Sequence, residues 1–265
     1  MAAIESLRLL LMLVWWRLCQ LLVQLVHVRS LKPSGEFLHK VVVIGDDFAA
    51  GLGDYVTFGD TAGLAAHLPP IVKQSDKVRH SWEIINCGVP GSKSADWRVN
   101  APTNYFKNVV NSKSTGDASI VLVLLGSIEL RDPAANTVDI RRNLMEICDS
   151  LRKKGKRVCL ATTASTNPTT EQEEATASQL NIALEVFCKS TAAEDQPVVL
   201  GPRLDNYAFR RDSALLFDKY HFNSSSYKLL ARNTADFLIP MMTAVEWATW
   251  KDQLNKVTYD KALYE

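Results

Sequence analysis

Charge of one sign is what this sequence lacks. Its 265 residues hold 30 lysines and arginines against 29 aspartates and glutamates, a net charge of +1. Such a balanced chain projects no overall field, and no basic run is dense enough for a nucleic-acid footprint. Metal-ligand spacing is missing as well. No Cys-x-x-Cys occurs among Cys19, Cys87, Cys148, Cys159 and Cys188, and His39, His67 and His80 stand at no ligand-like interval from cysteines or acids. The odd cysteine count argues against a disulfide framework. Cys87 and Cys159 fall in strand-like runs, where a reduced thiol packs as a small hydrophobe. A reducing compartment or an organelle interior fits that usage better than secretion. Gly51-Leu-Gly53 matches neither a phosphate-binding loop nor a dinucleotide fingerprint. Internal repeats are absent, and no cofactor or metal is expected.

What the chain does have is one long apolar segment at its start. Leu7 to Val28 contains Leu-Leu-Leu-Met-Leu-Val-Trp-Trp and Leu-Leu-Val-Gln-Leu-Val, interrupted by Arg17, Gln20, Gln24 and His27. Their spacing puts those four on one face of a helix. At ~1.5 Å per residue the segment is about long enough for a ~30 Å hydrocarbon core. Four readings compete. It is a cleaved targeting peptide, since only Glu5 offsets Arg8 and Arg17; a membrane-spanning helix whose polar seam faces a partner; a helix lying flat at an interface; or a soluble helix packed on its own domain. Trp15-Trp16 and the near-continuous apolar surface favour a retained membrane or partner helix over residues 1–30. A polar linker with Pro33 and Gly35 follows, over residues 31–39.

The domain expected over residues 40–240 begins with Lys40-Val-Val-Val-Ile-Gly-Asp-Asp-Phe-Ala-Ala-Gly51. Four β-branched residues, Val41 to Ile44, predict a buried strand that opens at Gly45 into a polar loop. Further strands are predicted at Trp82–Cys87, Ser119–Leu125, Arg157–Thr162 and Pro197–Leu200. Helices are predicted at Ala62–His67, from Ser94 toward Val110, and at Thr137–Lys154, Glu171–Lys189 and Ser224–Pro240. Alternating strands and helices predict a three-layer α/β/α domain around a parallel five-stranded sheet. Residues 241–265, with Trp247, Trp250, Tyr259 and Tyr264, form a tail that is a candidate for docking.

A parallel sheet gathers the loops after its strands at one edge. Those loops carry Gly45-Asp46-Asp47, Asn86-Cys87-Gly88-Val89-Pro90-Gly91 and Gly126-Ser127-Ile128-Glu129; Asp218-Lys219-Tyr220-His221 precedes the last domain helix. Together, in this order, they resemble the SGNH (GDSL-type) hydrolase superfamily over most of residues 40–240. The resemblance implies an SGNH/flavodoxin-like fold and metal-free ester hydrolysis by Ser, His and Asp. A glycine N–H and an asparagine side chain complete its oxyanion hole. Carried over, it places Gly88 in the hole, His221 as base and Asp218 as the group that orients His221. Two positions depart: Asp47 stands where the serine belongs and Ile128 where the asparagine belongs. Glu129 for aspartate is a milder change.

Those departures alter the chemistry. A serine must be made alkoxide-like by its histidine, whereas an aspartate with a reference pKa near ~3.9 is already ionised. Attack on an ester by Asp47 would give a mixed anhydride that reverts. Losing one oxyanion donor costs ~10²–10³ in rate, and Ile128 offers none. The vestigial site Asp47, Gly88, Ile128, Asp218 and His221 therefore predicts a catalytically degenerate protein. It is expected to act as an accessory or structural subunit of a membrane complex, contacting membrane lipid and other subunits but no nucleic acid. The acid-poor, arginine-bearing start and the free thiols suggest the mitochondrial inner membrane. The enzymatic alternative is a membrane-anchored hydrolase with Asp47 as nucleophile at alkyl carbon or phosphorus. A third reading is a non-catalytic lipid or acyl binder.

Overall fold

A computed structural model describes residues 2–26, 37–54, 62–132, 134–166, 170–211 and 213–256. Most of the linker, His27, Tyr259 and Tyr264 lie outside the described residues. The strands are β1 Leu38–Gly45, β2 Ser81–Gly88, β3 Ile120–Leu124, β4 Arg157–Leu160 and β5 Val198–Leu200. They form one parallel sheet in the order β2-β1-β3-β4-β5. The chain leaves β1 toward one edge and returns past it to β3. The crevice above the carboxyl ends of β1 and β3 is therefore the topological switch point, where open α/β sheets place their sites.

The helices are α1 Ala2–Val26, α2 Asp47–Ala50, α3 Leu64–Gln74, α4 Tyr105–Asn111, α5 Thr137–Arg152, α6 Glu171–Ser190, α7 Tyr207–Arg211 and α8 Ser224–Lys256. Successive strand residues point to opposite faces, and β1 divides accordingly. Val41 and Val43 join α2, α3 and α8 in one core; Val42 and Ile44 join α4, α5 and α6 in the other. Burying both faces explains the near-continuous apolar run of β1 and β3.

Three expectations need correction. The helix expected from Ser94 toward Val110 is two pieces, a 3-10 turn at Ser94–Trp97 and α4. Pro102 and the left-handed Asn104, at φ 58°, break it. The last helix does not stop at Pro240 but continues to Lys256. Leu238, Met241, Met242 and Val245 keep facing the core through the proline, and that burial outweighs a missing N–H. The membrane-spanning helix is the third. Among the described residues no helix is long and apolar enough to cross a membrane. Arg8 and Arg17 interrupt α1, and one stripe of it is seated on the domain, with Met12 and Cys19 buried.

Candidate active site

β1 ends in Gly45 at φ +142°, where an added Cβ would stand 1.6 Å from the Leu124 carbonyl oxygen. Only glycine lets the chain pass so close to β3 before turning into α2. Asp46 caps that helix. Its Oδ1 accepts the Phe48 N–H at 3.1 Å and its Oδ2 accepts the Ser127 N–H at 3.1 Å, tying the β1 and β3 loops together. Complete burial, with the neighbouring charge of Asp47, pushes the Asp46 carboxyl up to about 7 against the pull of the Phe48 and Ile128 N–H groups and Arg131.

Asp47, first residue of α2, points across the crevice. Its Oδ2 lies 2.9 Å from Nε2 of His221, and its Oδ1 accepts the Gly91 N–H at 2.6 Å. The other ring nitrogen, Nδ1, lies 2.7 Å from Oδ2 of Asp218. Oδ1 of Asp218 takes the N–H groups of Tyr220 and His221, each at 2.7 Å, which fixes the Asp218–His221 turn. Both nitrogens of His221 thus face carboxylates, surroundings that favour the protonated ring. Burial lowers its pKa, but the bonds to Asp218 and Asp47 outweigh burial and hold it above the ordinary histidine value. Asp218, despite a burial penalty, is held below the usual aspartate value by the same histidine.

The structure brings Asp47, Asp218 and His221 together; it does not bring Gly88. The Gly88 N–H donates to Oδ1 of Asn86 at 2.9 Å. An added Cβ on Gly88 would stand 2.2 Å from the Ala50 nitrogen. Gly88 is therefore the close-packing glycine beneath α2, and the oxyanion role implied for it is corrected. Gly91, three residues on and at φ +77°, supplies the N–H that faces the site. Ile128 opens the short turn Glu129–Arg131 and contributes no side-chain donor. Glu129 turns away to accept the N–H of Ser94 at 2.6 Å and its hydroxyl at 2.8 Å.

Arg131 went unmarked in the sequence. Its guanidinium stacks over the Tyr220 ring at 4.7 Å, with Nη1 3.9 Å from Oδ2 of Asp47 and Nη2 3.4 Å from Nε2 of His221. Nothing about an arginine two residues past Glu129 flags such a reach. The sequence signal for Gly91 was better: in Gly88-Val-Pro-Gly91 the second glycine can take a left-handed turn. Beside this cluster Arg131, Tyr220, Phe48 and Ser127 help line a cavity of about 100 Å³. That is well below the ~300–1,000 Å³ of ordinary small-molecule sites. Among the described residues no group of three or more His, Cys, Asp or Glu could hold a metal ion.

Residues 41–234 match the model of the GDSL-like lipase/acylhydrolase family. No curated protein matches the sequence. Solved structures do share the fold. An acetylxylan esterase from Geobacillus stearothermophilus, Axe2, superposes with a TM-score of 0.59 at 14% identity, over 75% of this chain and 93% of that one. A G-D-S-L family protein from Desulfitobacterium hafniense DCB-2 does so with a TM-score of 0.55 at 13% identity, over 74% and 98%. The acetyl xylan esterase AlAXEase gives a TM-score of 0.54 at 16% identity, again over 74% and 98%. With the family model spanning most of its length and the switch-point crevice built as described, this chain belongs to the GDSL-like lipase/acylhydrolase family.

Proposed function

We propose that this chain has the hydrolase fold without ester hydrolysis and serves as an accessory subunit of a membrane assembly. One observation carries the first half. Both oxygens of Asp47 are engaged, one by the Gly91 N–H that would face a tetrahedral oxyanion and one by the histidine that would act as base. The carboxylate fills the position a substrate oxygen would need, and it favours the protonated form of His221 when a base must be neutral. The same engagement argues against Asp47 as a nucleophile at alkyl carbon or phosphorus. The small neighbouring cavity argues against a bound acyl chain.

The second half rests on α1. Its outer face leaves Leu7, Leu11, Val14, Trp15 and Leu18 exposed in one stripe, the kind of clustered apolar surface that marks a partner or membrane contact. The mitochondrial inner membrane is the proposed location, supported by the acid-poor, arginine-bearing start of the chain and by five cysteines that are all free. Two measurements test the proposal. The purified chain should neither hydrolyse short-chain esters nor be labelled by a fluorophosphonate probe, and in mild detergent it should co-purify with other membrane proteins. Turnover abolished by Asp47→Ala, or a covalent adduct on Asp47, would overturn the non-hydrolytic reading. A chain that purifies alone and monomeric from its native source would overturn the accessory-subunit reading.

A further inference from the structure

The placement of α1 carries an inference that deepens the membrane part of this reading. Successive helical residues are ~100° apart, so the side chains of α1 sort into arcs. Leu9, Met12, Leu13, Trp16 and Cys19 fall on one arc, and all five are buried or half-buried against the domain. Met12 Sδ accepts the Gly53 N–H at 3.3 Å, and Leu13 and Trp16 line a crevice with Ala50 and Leu52. The Leu9–Cys19 stretch of the helix is therefore held beside the segment that follows Asp47.

The opposite arc is unlike an ordinary soluble surface. Leu7, Leu11, Val14, Trp15, Leu18 and Leu22 lie on it, each between 44% and 59% exposed. Arg8 and Arg17, nine residues apart, come off opposite sides of the helix and flank this arc, and no acid occurs between Leu7 and Leu22. Both arginines are exposed, and neither is without a partner: Arg8 stacks over the Phe217 ring at 5.2 Å, and Arg17 is also engaged. Large apolar side chains gathered in one exposed stripe, rather than scattered singly, mark a surface that meets a partner or a membrane.

We infer that α1 is an interfacial helix lying flat on a bilayer that carries anionic lipid. The apolar arc would sit ~5–10 Å into the headgroup boundary. Arginines on both flanks would reach back to the phosphates, and Trp15, at the edge of the arc, is the residue type that favours that depth. Because the inner arc stays on the domain, the whole protein is laid against the membrane on its α1 side. Two arginines and no acid between Leu7 and Leu22 make an anionic surface the occupant of choice; an apolar protein groove would have no use for a cation along each flank.

Sedimentation of the full chain with vesicles tests this. It should bind phosphatidylcholine vesicles containing phosphatidylserine and bind pure phosphatidylcholine far less, with the difference erased by high salt. Arg8→Gln and Arg17→Gln should each weaken binding about fivefold. Leu11→Glu with Leu18→Glu should abolish it while leaving the melting temperature unchanged, since neither residue faces the domain. Two results overturn the inference: no binding to either vesicle, or a stable dimer that the leucine substitutions break. Should vesicles fail while the chain still co-purifies with membrane proteins, the accessory-subunit reading stands and the flat helix falls.

Discussion

Replacing Asp47 by serine, alone and with Ile128→Asn, asks whether these two positions are what silences the site. The substitution removes the acceptor of the 2.6 Å bond from Gly91 N–H and leaves that donor open to a substrate oxygen. It also strips His221 of one of its two carboxylates. Asp218 still orients the ring through Nδ1 at 2.7 Å, while the pKa falls and a neutral base becomes available. Serine is one bond shorter than aspartate, so the present 2.9 Å gap to Nε2 widens; such contacts commonly tighten only when substrate binds. The single variant has a nucleophile, a base and one oxyanion donor. The double variant adds the second donor, worth ~10²–10³ in rate, or about 2.7–4 kcal/mol. The expected order of kcat/KM on p-nitrophenyl acetate is therefore double, then single, with the wild type and Ile128→Asn at the buffer rate. Fluorophosphonate labelling should appear with the serine. A double variant that folds, melts like the wild type and yet neither labels nor turns over would refute the reasoning, as would a wild type as fast as the double.

Further outcomes follow from the same geometry. Gly88→Ala should destabilise by at least ~3 kcal/mol, because its Cβ would stand 2.2 Å from the Ala50 nitrogen. Gly91→Ala meets nothing within 4 Å and should lose only about 1–2 kcal/mol for its left-handed φ in thermal melts. His221, raised above its ordinary 6.5, contributes stability that is full below that value and is lost as pH rises through its folded pKa. Asp218, lowered from 3.8, contributes stability that is full above that value and is lost as pH falls through its folded pKa. Denaturant titrations across pH should place the best of the pair between those limits, and His221→Gln should remove its share of the alkaline decline. The Arg131 charge opposes protonation of His221, so Arg131→Ala should raise the imidazole pKa in NMR titrations; a fall would count against the assigned contacts. Carbon-13 NMR should find the Asp46 carboxyl titrating near 7, and a value in the usual aspartate range would show that its N–H partners outweigh burial.

The strands and the vicinity of the site were legible where a local pattern had a local cause. Val41 to Ile44 announced a buried strand, and the unbroken apolar run is what burial on both faces demands. Asp218 and His221 were legible through the family resemblance, whose motif sets them three residues apart, and their contact closes within a single turn. What was not legible depends on how distant pieces meet. Choosing Gly91 over Gly88 requires knowing that α2 packs directly on Gly88. Arg131 reaches the crevice only because a short turn after β3 aims it over Tyr220. Pro240 reads as a stop by local rules, yet tertiary burial of Met241, Met242 and Val245 carries α8 past it.

The carboxylate of residue 47 belongs to the same chain as the groups that grip it. A tethered occupant competes by proximity, at an effective concentration that a dissolved competitor does not match. The crevice is thus satisfied as soon as the domain folds, and it has no ligand-free form to be rescued by mass action. Acetate or formate added to the buffer should leave the melting temperature where it was.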